Sequence, residues 1–555
     1  DVLIYLRNPT TSLPYLMEQL QNSGPISGYK LNIEKTEIIT YNYNPPTNIK
    51  NVYSLKWHTK SFKYLGIHLT KNTEKIQKMN FDPITAKTRE DLTRWNLIPF
   101  FSFSSRIETI KMNIVPKFLY LFQCLPVEIP EKQFIEWDKM LSRFIWQGKK
   151  PRVRFKTLQL PKDKGGWALP SLKDYYIAAQ IRTIVNWCDP HYHAPWKDIE
   201  NLTFRNTPVQ AILIVKNYKN IQQIEDPWTK LTLNVWTSVM KEFNLLKYCT
   251  VLKWIAYDSD FTPNRLDNRF KLWANKGITS FSTIIKKGEI LSFQQLKDNF
   301  LLENQDFYRY LQVRNYYDQK IKGKLEDNQN PLIDIIKKAH TSGIKYKIVS
   351  LIYKSLRSMK TQSTNYIKEK WETESGTTFT DEEWTNIWEF QWKSTSSLNW
   401  KENCWKNIIR YFKTPALTAK YTNKSPKCWR NCGCNKANHC HIFWECMYIQ
   451  EYWKEIQEAL EYIFEKDIPL ESKLLYFGCV DPDMVTADNK YLMRALMAAS
   501  KKAITRKWLQ QERPTLSNWI DATIEIYTME RITFVVNLKK DIFLRKWRKW
   551  VEYIL

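Results

Sequence analysis

The amino-acid sequence predicts a multi-domain fold that is α+β at its N-terminus and otherwise mainly α-helical. Three observations support this prediction. The 555 residues are too many for a single hydrophobic core. Residues 1–70 alternate short apolar runs with turn-rich stretches, which is typical of strands. From residue 73 onward, apolar side chains recur at the spacing of a helix face.

The N-terminal elements follow from this periodicity. DVLIYL predicts a short buried strand, and TSLPYLMEQLQNSG predicts a helix that ends at Gly24 and Pro25. YKLNIEK and TEIITYN alternate apolar and polar side chains, and so do VYSLKW and FKYLGIHLT, so we expect strands in all four. The predicted order is therefore strand, helix and a small antiparallel set.

Helices are predicted in the rest of the chain. SRIETIKMNIVPKFLYLFQCLP places four apolar residues on one stripe, and Pro116 is expected to kink this helix. The four residues are Ile107, Ile110, Ile114 and Phe118. EKQFIEWDKMLSRFIWQG has the same period, and CDPHYHAPW predicts a joint near residue 190. NLKKDIFLRKWRKWVEYIL predicts a terminal helix that packs its Phe, Leu and Trp side chains inward, which we favour over contact with nucleic acid.

Composition indicates an acidic partner. Lys and Arg number 84 against 57 Asp and Glu, for a net charge of +27. Nucleic acid is the first expected partner, and an anionic membrane is second because the chain has no evident anchor. Between Leu141 and Leu160 there are six basic residues and no acidic one. The six are Arg143, Lys149, Lys150, Arg152, Arg154 and Lys156.

The cysteines indicate a local metal site rather than a disulfide framework, because five of the ten lie between residues 428 and 446. Cys428, Cys432, His441 and Cys446 form the pattern C-x3-C-x8-H-x4-C, which could enclose Zn²⁺ in a tetrahedral shell. Three further residues are competing ligands, namely Cys434, His439 and Cys440. The alternative is a set of reduced thiols packed against Trp429 and Trp444.

The order of the front segments carries a resemblance to a known family. Asp1 leads a strand, and SGYKLNIEKTE, FKYLGIHLT and SRIETIKMNIVPKFLYLFQCLP follow. This order resembles the second half of a non-LTR retrotransposon reverse transcriptase of the LINE-1 type. The resemblance implies that Asp1 matches the second Asp of the family's catalytic turn and that Lys35 lies near the leaving pyrophosphate. It also implies a primer-grip hairpin that contains Lys63, Tyr64, Leu65 and Gly66.

Later segments extend the resemblance. KTLQLPKDKGGWALPSLKDYYIAAQI is similar to a thumb segment of the family, and HIFWEC and RPTLSNWIDATIEIYTMERITF are similar to its C-terminal region. A thumb follows a nucleic-acid backbone without reading its sequence, so we expect phosphate contacts from basic residues of this region. The expected contacts are Lys149, Lys150, Arg152, Arg154, Lys156, Lys162 and Lys164. Trp429 and Arg430 are expected to supply stacking and charge to RNA.

The resemblance divides the chain into five regions. These are a partial palm with the primer-grip hairpin (1–75), a helical thumb (76–188), a mainly helical C-terminal region (189–425), the Cys-rich segment (426–450) and a C-terminal helical tail (451–555).

The activity implied by the resemblance is RNA-directed DNA synthesis primed from nicked target DNA. The resemblance implies an RNA template and a DNA primer or target as partners, with ribonucleoprotein partners in addition. It implies a location in the cytoplasm or nucleus and away from membranes. The complete enzyme would use Mg²⁺, held mainly by two aspartates that precede Asp1. We therefore expect a truncated chain that does not polymerise DNA by itself. The alternatives are a non-enzymatic RNA-binding protein and an inert retrotransposon relic.

Overall fold

The computed structural model describes residues 2–53, 55–58, 60–202, 207–213, 224–249, 252–324, 329–360, 363–480 and 486–555. The chain is mostly helical and contains three small two-stranded sheets within these residues, which confirms the coarse fold prediction. None of the helices in these ranges combines the length and the apolar character needed to cross a bilayer.

The fold consists of two compact units, each assembled from three stretches of chain. The first unit comprises Asp1–Asp91, Val115–Trp137 and Leu172–Lys360. The second comprises Leu92–Ile114, Asp138–Ser171 and Thr361–Leu555. The five regions named above are assignments to the parts of a family, and they stay predictions.

Short elements form the beginning of the first unit. In chain order they are α1 (Pro9–Ser27), a 3-10 turn (Ile33–Lys35), β1 (Glu37–Ile39), α2 (Thr47–Val52), β2 (Lys56–His58), β3 (Ser61–Tyr64) and β4 (Ile67–Thr70). A small core of Leu13, Met17, Ile49 and Leu55 joins α1 to the residues around β2.

Three predictions for this segment are wrong. Residues 2–6 pair with none of the described strands, and Val2 is 84% exposed, so apolar character did not suffice to form a strand there. Helix α1 continues through Gly24 and Pro25 and ends at Ser27, because the N–H of Gly28, at φ 73°, closes the last turn on the Gly24 carbonyl. YKLNIEK forms a 3-10 turn, because the Asn32 side chain accepts the N–H of Lys35.

The strands differ in their pairing. Strands β1 and β2 are parallel, which corrects the predicted antiparallel arrangement. Strands β3 and β4 form the antiparallel hairpin expected for FKYLGIHLT, with Tyr64 opposite Ile67. Leu65 (φ 46°) and Gly66 (φ 83°) both have positive φ, as a two-residue hairpin turn requires. The Asn80 side chain bonds both the N–H and the carbonyl of His68 (2.8 and 2.9 Å) and so attaches the hairpin to the next helix.

The predicted helices follow the hairpin. They are α3 (Ile76–Asn96), α4 (Phe103–Thr109), α5 (Val115–Cys124), α6 (Glu131–Ile145), α7 (Phe155–Leu158) and α8 (Leu172–Cys188). The apolar stripe of Ile107, Ile110, Ile114 and Phe118 is buried, as expected. Where a kink was predicted, a π-helical segment spans Ile110–Ile114. Pro116 has no N–H to donate to the carbonyl four residues earlier, and a wider turn accommodates this loss.

The rest of the first unit surrounds α8. Its elements are α9 (Pro195–Leu202), α10 (Val209–Ile212), α11 (Pro227–Glu242), α12 (Pro263–Leu266), α13 (Arg269–Asn275), α14 (Phe281–Ile284), β5 (Ile285–Lys286), β6 (Glu289–Ile290), α15 (Phe293–Phe300), α16 (Phe307–Lys320), α17 (Pro331–Ser342) and α18 (Ile348–Met359). Ile181, Ile184 and Trp187 of α8 are buried in the same core as Leu356 of α18. The α8 residue Asp174 is also buried, and Arg357 pairs with it at 3.1 Å, so charge adds to the packing of α8 and α18.

Most helices of the second unit come from the C-terminal part of the chain. They are α19 (Asn365–Ser375), α20 (Asp381–Trp392), α21 (Leu398–Ile408), α22 (Pro415–Ala419), α23 (Met447–Phe464), α24 (Ser472–Leu475), α25 (Ala487–Arg506), α26 (Leu516–Val536) and α27 (Lys540–Ile554). Tryptophans dominate their core, where Trp167 meets Trp392 edge to face at 4.7 Å and Trp405 at 5.7 Å. These tryptophans therefore act as packing residues.

The terminal helix α27 packs its Phe and Trp side chains inward, as predicted, because Phe543, Trp547 and Trp550 are each 1% exposed. The same prediction is wrong for Leu544, which is 51% exposed on the outer face of the helix. The buried Glu530 carboxylate on α26 accepts hydrogen bonds from the Trp547 indole (3.0 Å) and the Tyr491 hydroxyl (2.7 Å). This carboxylate therefore connects α25, α26 and α27.

The stability of the second unit is expected to depend on close packing at Gly165. Gly148 and Gly165 both have positive φ (73° and 84°), but only at Gly165 would a β-carbon meet other atoms, 2.6 Å from Trp388. Gly148→Ala should lower the free energy of unfolding by about 1 kcal/mol, because alanine is strained in a left-handed backbone conformation. Gly165→Ala should lower it by about 1–3 kcal/mol more than Gly148→Ala does, because the Trp388 indole must also move. Chemical denaturation followed by circular dichroism measures the difference, and equal losses would contradict it.

Candidate metal centre and basic surface

Cys428, Cys432, His441 and Cys446 converge in the second unit. Their candidate ligand atoms all lie within 4.8 Å of one another. The Cys432 sulfur is 3.2 Å from Nε2 of His441, which identifies the ligating nitrogen. The predicted Cys3His set is thus present as a group that could hold a metal ion such as zinc.

A tight turn positions the first two cysteines. The N–H of Cys428 donates to the Cys434 carbonyl (3.0 Å), and the N–H of Asn431 donates to the Cys428 carbonyl (3.2 Å). Asn431 (φ 56°) and Gly433 (φ 86°) adopt left-handed conformations, which Asn and Gly tolerate best. The chain therefore reverses within this segment and brings Cys428 next to Cys432.

A π-helical turn, His441–Glu445, positions the other two ligands. The N–H of Cys446 donates to the carbonyl of His441 (3.0 Å), five residues earlier, so both side chains lie on the same side of the turn. The Trp453 indole donates to the Phe443 carbonyl (2.9 Å) and fixes the turn against α23.

The surroundings favour a thiolate at Cys446. A hydrogen bond from Cys428 is the main cause that lowers the pKa of Cys446, and the neighbouring His441 and the charge of Arg430 act in the same direction. Cys446 also precedes α23, whose N-terminus carries a partial positive charge. The same hydrogen bond, together with burial, raises the pKa of Cys428. Binding of a metal requires thiolates, and these surroundings favour the thiolate form at Cys446.

The donor set fits zinc. Three sulfurs and one imidazole nitrogen form a common structural zinc shell, and a Zn–S bond of about 2.3 Å places tetrahedral sulfurs roughly 3.8 Å apart. The four candidate ligand atoms lie within 4.8 Å of one another, so small movements of these side chains toward the metal would give that spacing. Because the protein would fill all four positions, zinc here would be structural.

The three competing ligands lie outside the cluster. His439 bonds the Phe412 carbonyl through Nε2 (2.8 Å), and burial lowers its pKa to about 3. Burial raises the pKa of Cys440. The backbone N–H groups of His439 and Cys440 donate to Glu374 (3.2 and 3.4 Å), which also pairs with Arg410. His439 and Cys440 therefore attach the Cys-rich segment to the rest of the unit.

The basic residues predicted to contact phosphate are also in the second unit. Lys149, Lys150, Arg152, Arg154, Lys156, Lys162 and Lys164 are all exposed. Within the described part of the chain, none of the seven forms an ion pair with an acidic side chain. Only solvent ions therefore screen the repulsion among these seven cations. Replacement of those ions by the phosphates of an anionic partner is favourable.

A second basic stretch was missed by sequence reasoning. Residues 403–444 contain eight basic residues and no acidic one, so a count of charges along the chain would have found it. Its members are Lys406, Arg410, Lys413, Lys420, Lys424, Lys427, Arg430 and Lys436. The stretch contains the three metal-ligand positions 428, 432 and 441, so the Cys-rich segment is itself basic.

The two stretches meet at an aromatic ring. The guanidinium carbon of Arg152 lies 4.6 Å from the ring centre of Tyr411, and the ammonium of Lys406 lies 4.9 Å from it. We call the exposed basic residues of both stretches, together with this contact, the basic surface.

Arg430 and Trp429 occupy positions other than those expected. Arg430 is 3% exposed and donates to the Ile442 carbonyl (3.1 Å), a position that does not fit direct contact with nucleic acid. Trp429 is half-buried and packs on Trp508, with ring centres 4.8 Å apart. The charge of Arg430 acts on the thiol of Cys446 instead, and the Trp429 ring contributes to packing.

The residues predicted at the front lie in the first unit. Asp1 is outside the described residues. Lys35 is exposed at the end of the 3-10 turn. Lys63, Leu65 and Gly66 are exposed on the β3–β4 hairpin, and Tyr64 is half-buried. The Tyr120 hydroxyl donates to the Leu65 carbonyl and holds the turn.

No protein-family model matches this chain. The resemblance to LINE-1-type reverse transcriptases, and the roles that it implies for the front residues, therefore stay predictions.

Zinc content tests the ligand set. The purified protein should contain about one zinc ion per chain, and Cys428→Ser or His441→Ala should lose it because three ligands cannot close the shell. Cys434→Ser is the matched control, since it changes a thiol of the same segment that lies outside the cluster, and it should retain zinc. Mass spectrometry of bound metals provides the measurement. A wild-type protein without metal, or equal loss in the control, would contradict the assignment.

Proposed function

We propose that this chain is a nucleic-acid-binding protein of the LINE-1 reverse-transcriptase type and that the basic surface of its second unit holds RNA or a primer–template duplex. The observation that carries the proposal is the set of seven exposed cations between residues 149 and 164, none of which is ion-paired with an acidic side chain of the described residues. Residues 403–444 of the same unit, with eight basic residues and no acidic one, add to it.

Electrostatics supports this function in physical terms. A cation without an acidic neighbour is free to bind a phosphate, and each phosphate that it neutralises releases condensed counterions. Paired lysines behave differently, because a nearby carboxylate already balances them; Lys173 and Glu131, 2.6 Å apart, are an example. Contacts of this kind position a backbone without reading its bases, as a polymerase thumb must do.

The metal centre has a structural part in this proposal. Zinc would cross-link the Cys-rich segment, whose residues 421–438 form only turns and loops. Lys424, Lys427 and Lys436 are exposed on this segment. A closed zinc shell would therefore position these cations for phosphate contact.

The catalytic part of the proposal rests on the resemblance. RNA-directed DNA synthesis with Mg²⁺ is the activity of the family, in which Asp1 and Lys35 would serve the reacting phosphates. The alternative is a non-enzymatic RNA-binding protein, which would use the same basic surface. Primer extension on an RNA template separates the two hypotheses. The polymerase hypothesis predicts extension by a complete protein that contains this chain, and the RNA-binding hypothesis predicts none.

Removal of charge should weaken binding in a salt-dependent way. The triple variant Lys149→Ala, Lys150→Ala, Lys156→Ala should bind single-stranded RNA more weakly. The slope of log affinity against log salt should fall by about 2, at roughly 0.7 per lost contact. Fluorescence anisotropy over a salt series measures both quantities.

A control with the same change of net charge is available. Lys87, Lys173 and Lys322 are ion-paired with Glu90, Glu131 and Glu289. Their triple change to Ala should leave the slope near the wild-type value. An equal fall in both variants would show attraction by net charge only, and no fall in the first would reject this surface as the binding site.

A further inference from the structure

Two tyrosine rings of the second unit are each flanked by two cations. Tyr366 is 40% exposed, and its ring centre lies 5.8 Å from Arg154 and 6.0 Å from Lys370. The half-buried Tyr411 lies 4.6 Å from Arg152 and 4.9 Å from Lys406. Each tyrosine thus has one arginine from the 149–164 stretch and one lysine from elsewhere in the unit.

The two arginines belong to one short segment of the 149–164 stretch. Val153 between them is buried, whereas Arg152 and Arg154 are exposed. The two cation–tyrosine groups therefore share the segment 152–154, which its buried valine attaches to the second unit.

Rigid contacts support both tyrosines. Tyr366 is the second residue of α19, and the residue before this helix is Thr364, whose hydroxyl accepts from the Trp384 indole (3.1 Å). The Thr364 hydroxyl also contacts the Lys164 carbonyl (3.3 Å). Tyr411 stacks on the buried Trp146, with planes 10° apart and ring centres 6.3 Å apart.

The Cys-rich segment holds the chain on both sides of Tyr411. Arg410 pairs with Glu374, which accepts N–H groups of His439 and Cys440. The carbonyl of Phe412 bonds His439. The position of Tyr411 thus depends on the same segment that carries the metal ligands.

We propose that Tyr366 and Tyr411 are base-stacking positions for a single-stranded nucleic acid, and that the flanking Arg152, Arg154 and Lys370 contact its phosphates. Lys406 is ion-paired with Glu402 and supports the Tyr411 ring instead. This inference rests on the proposed function of the basic surface and narrows its ligand to single strands. In a duplex the base faces are covered by their neighbours, whereas an unpaired base presents an open face to an aromatic ring. Such stacking tolerates any sequence, because every base has a π face.

The experiment separates stacking from charge. The probes are oligothymidylate, an abasic strand of equal length and charge, and a duplex, each titrated with the full chain at fixed salt. Tyr366→Leu and Tyr411→Leu should each weaken oligothymidylate binding about tenfold. Binding of the abasic strand and of the duplex should stay within about twofold of wild type, because phosphate contacts do not need the ring.

Phenylalanine variants are the matched controls. Tyr366→Phe and Tyr411→Phe keep the aromatic face and should bind all three probes as the wild type does. The Tyr366→Leu variant should fold normally, because the Tyr366 ring is largely at the surface and contributes little to packing. The thermal unfolding of this variant should match that of the wild type.

Three outcomes distinguish the inference from the proposed function. A wild-type protein that binds none of the probes rejects the proposed function itself. Equal wild-type affinity for oligothymidylate and the abasic strand rejects stacking but leaves the charged surface in place. Leucine variants that lose all probes equally, or phenylalanine variants that lose oligothymidylate, also overturn the stacking inference.

Discussion

The convergence of Cys428, Cys432, His441 and Cys446 is the constraint on which the candidate binding surface depends. Residues 421–438 have no helix or strand, so few backbone hydrogen bonds define their path. Four side chains within 4.8 Å of one another supply the missing restraint. The contacts that leave this segment, from His439 to Phe412 and from Cys440 to Glu374, then restrain the residues beside Tyr411. A metal at this cluster would act on the binding surface through those contacts.

Acidic and basic residues have different tasks in the second unit. Acidic side chains such as Glu374, Glu402 and Glu530 accept hydrogen bonds from backbone or indole N–H groups and hold helices and loops together. Cations of the 149–164 stretch remain at the surface, and none of them is ion-paired with an acidic side chain in the ranges that the structure describes. Because the acidic side chains are used in structural hydrogen bonds, the positive charge of these cations is available to bind an anionic partner. The cations also repel one another, and the packing of the tryptophan core must offset that cost.

Aromatic residues also have two roles. Trp167, Trp392 and Trp405 fill the interior, where Trp167 meets each of the other two edge to face. Tyr366 and Tyr411 lie nearer the surface, each between two cations. Cation–π attraction at such positions is favourable, so these tyrosines can hold arginine before a ligand binds and offer a ring when it does. The difference lies in burial rather than in residue type.

The sequence by itself determined the features that depend on neighbouring residues. The helical stripe from Ile107 to Phe118, the Phe and Trp face of α27 and the Cys3His spacing were predictable from local periodicity and spacing. Periodicity predicted a single strand for FKYLGIHLT, and the hairpin followed only from the resemblance to a family. Tertiary structure decided the rest. Residues 2–6 are not a strand because a strand needs a partner, and Arg430 is buried because the chain folds back over it. Among the competing histidines, the structure places His441 and not His439 in the metal-ligand cluster. It also places Arg152 against Tyr411, and no local sequence pattern indicates that these two residues are close in space.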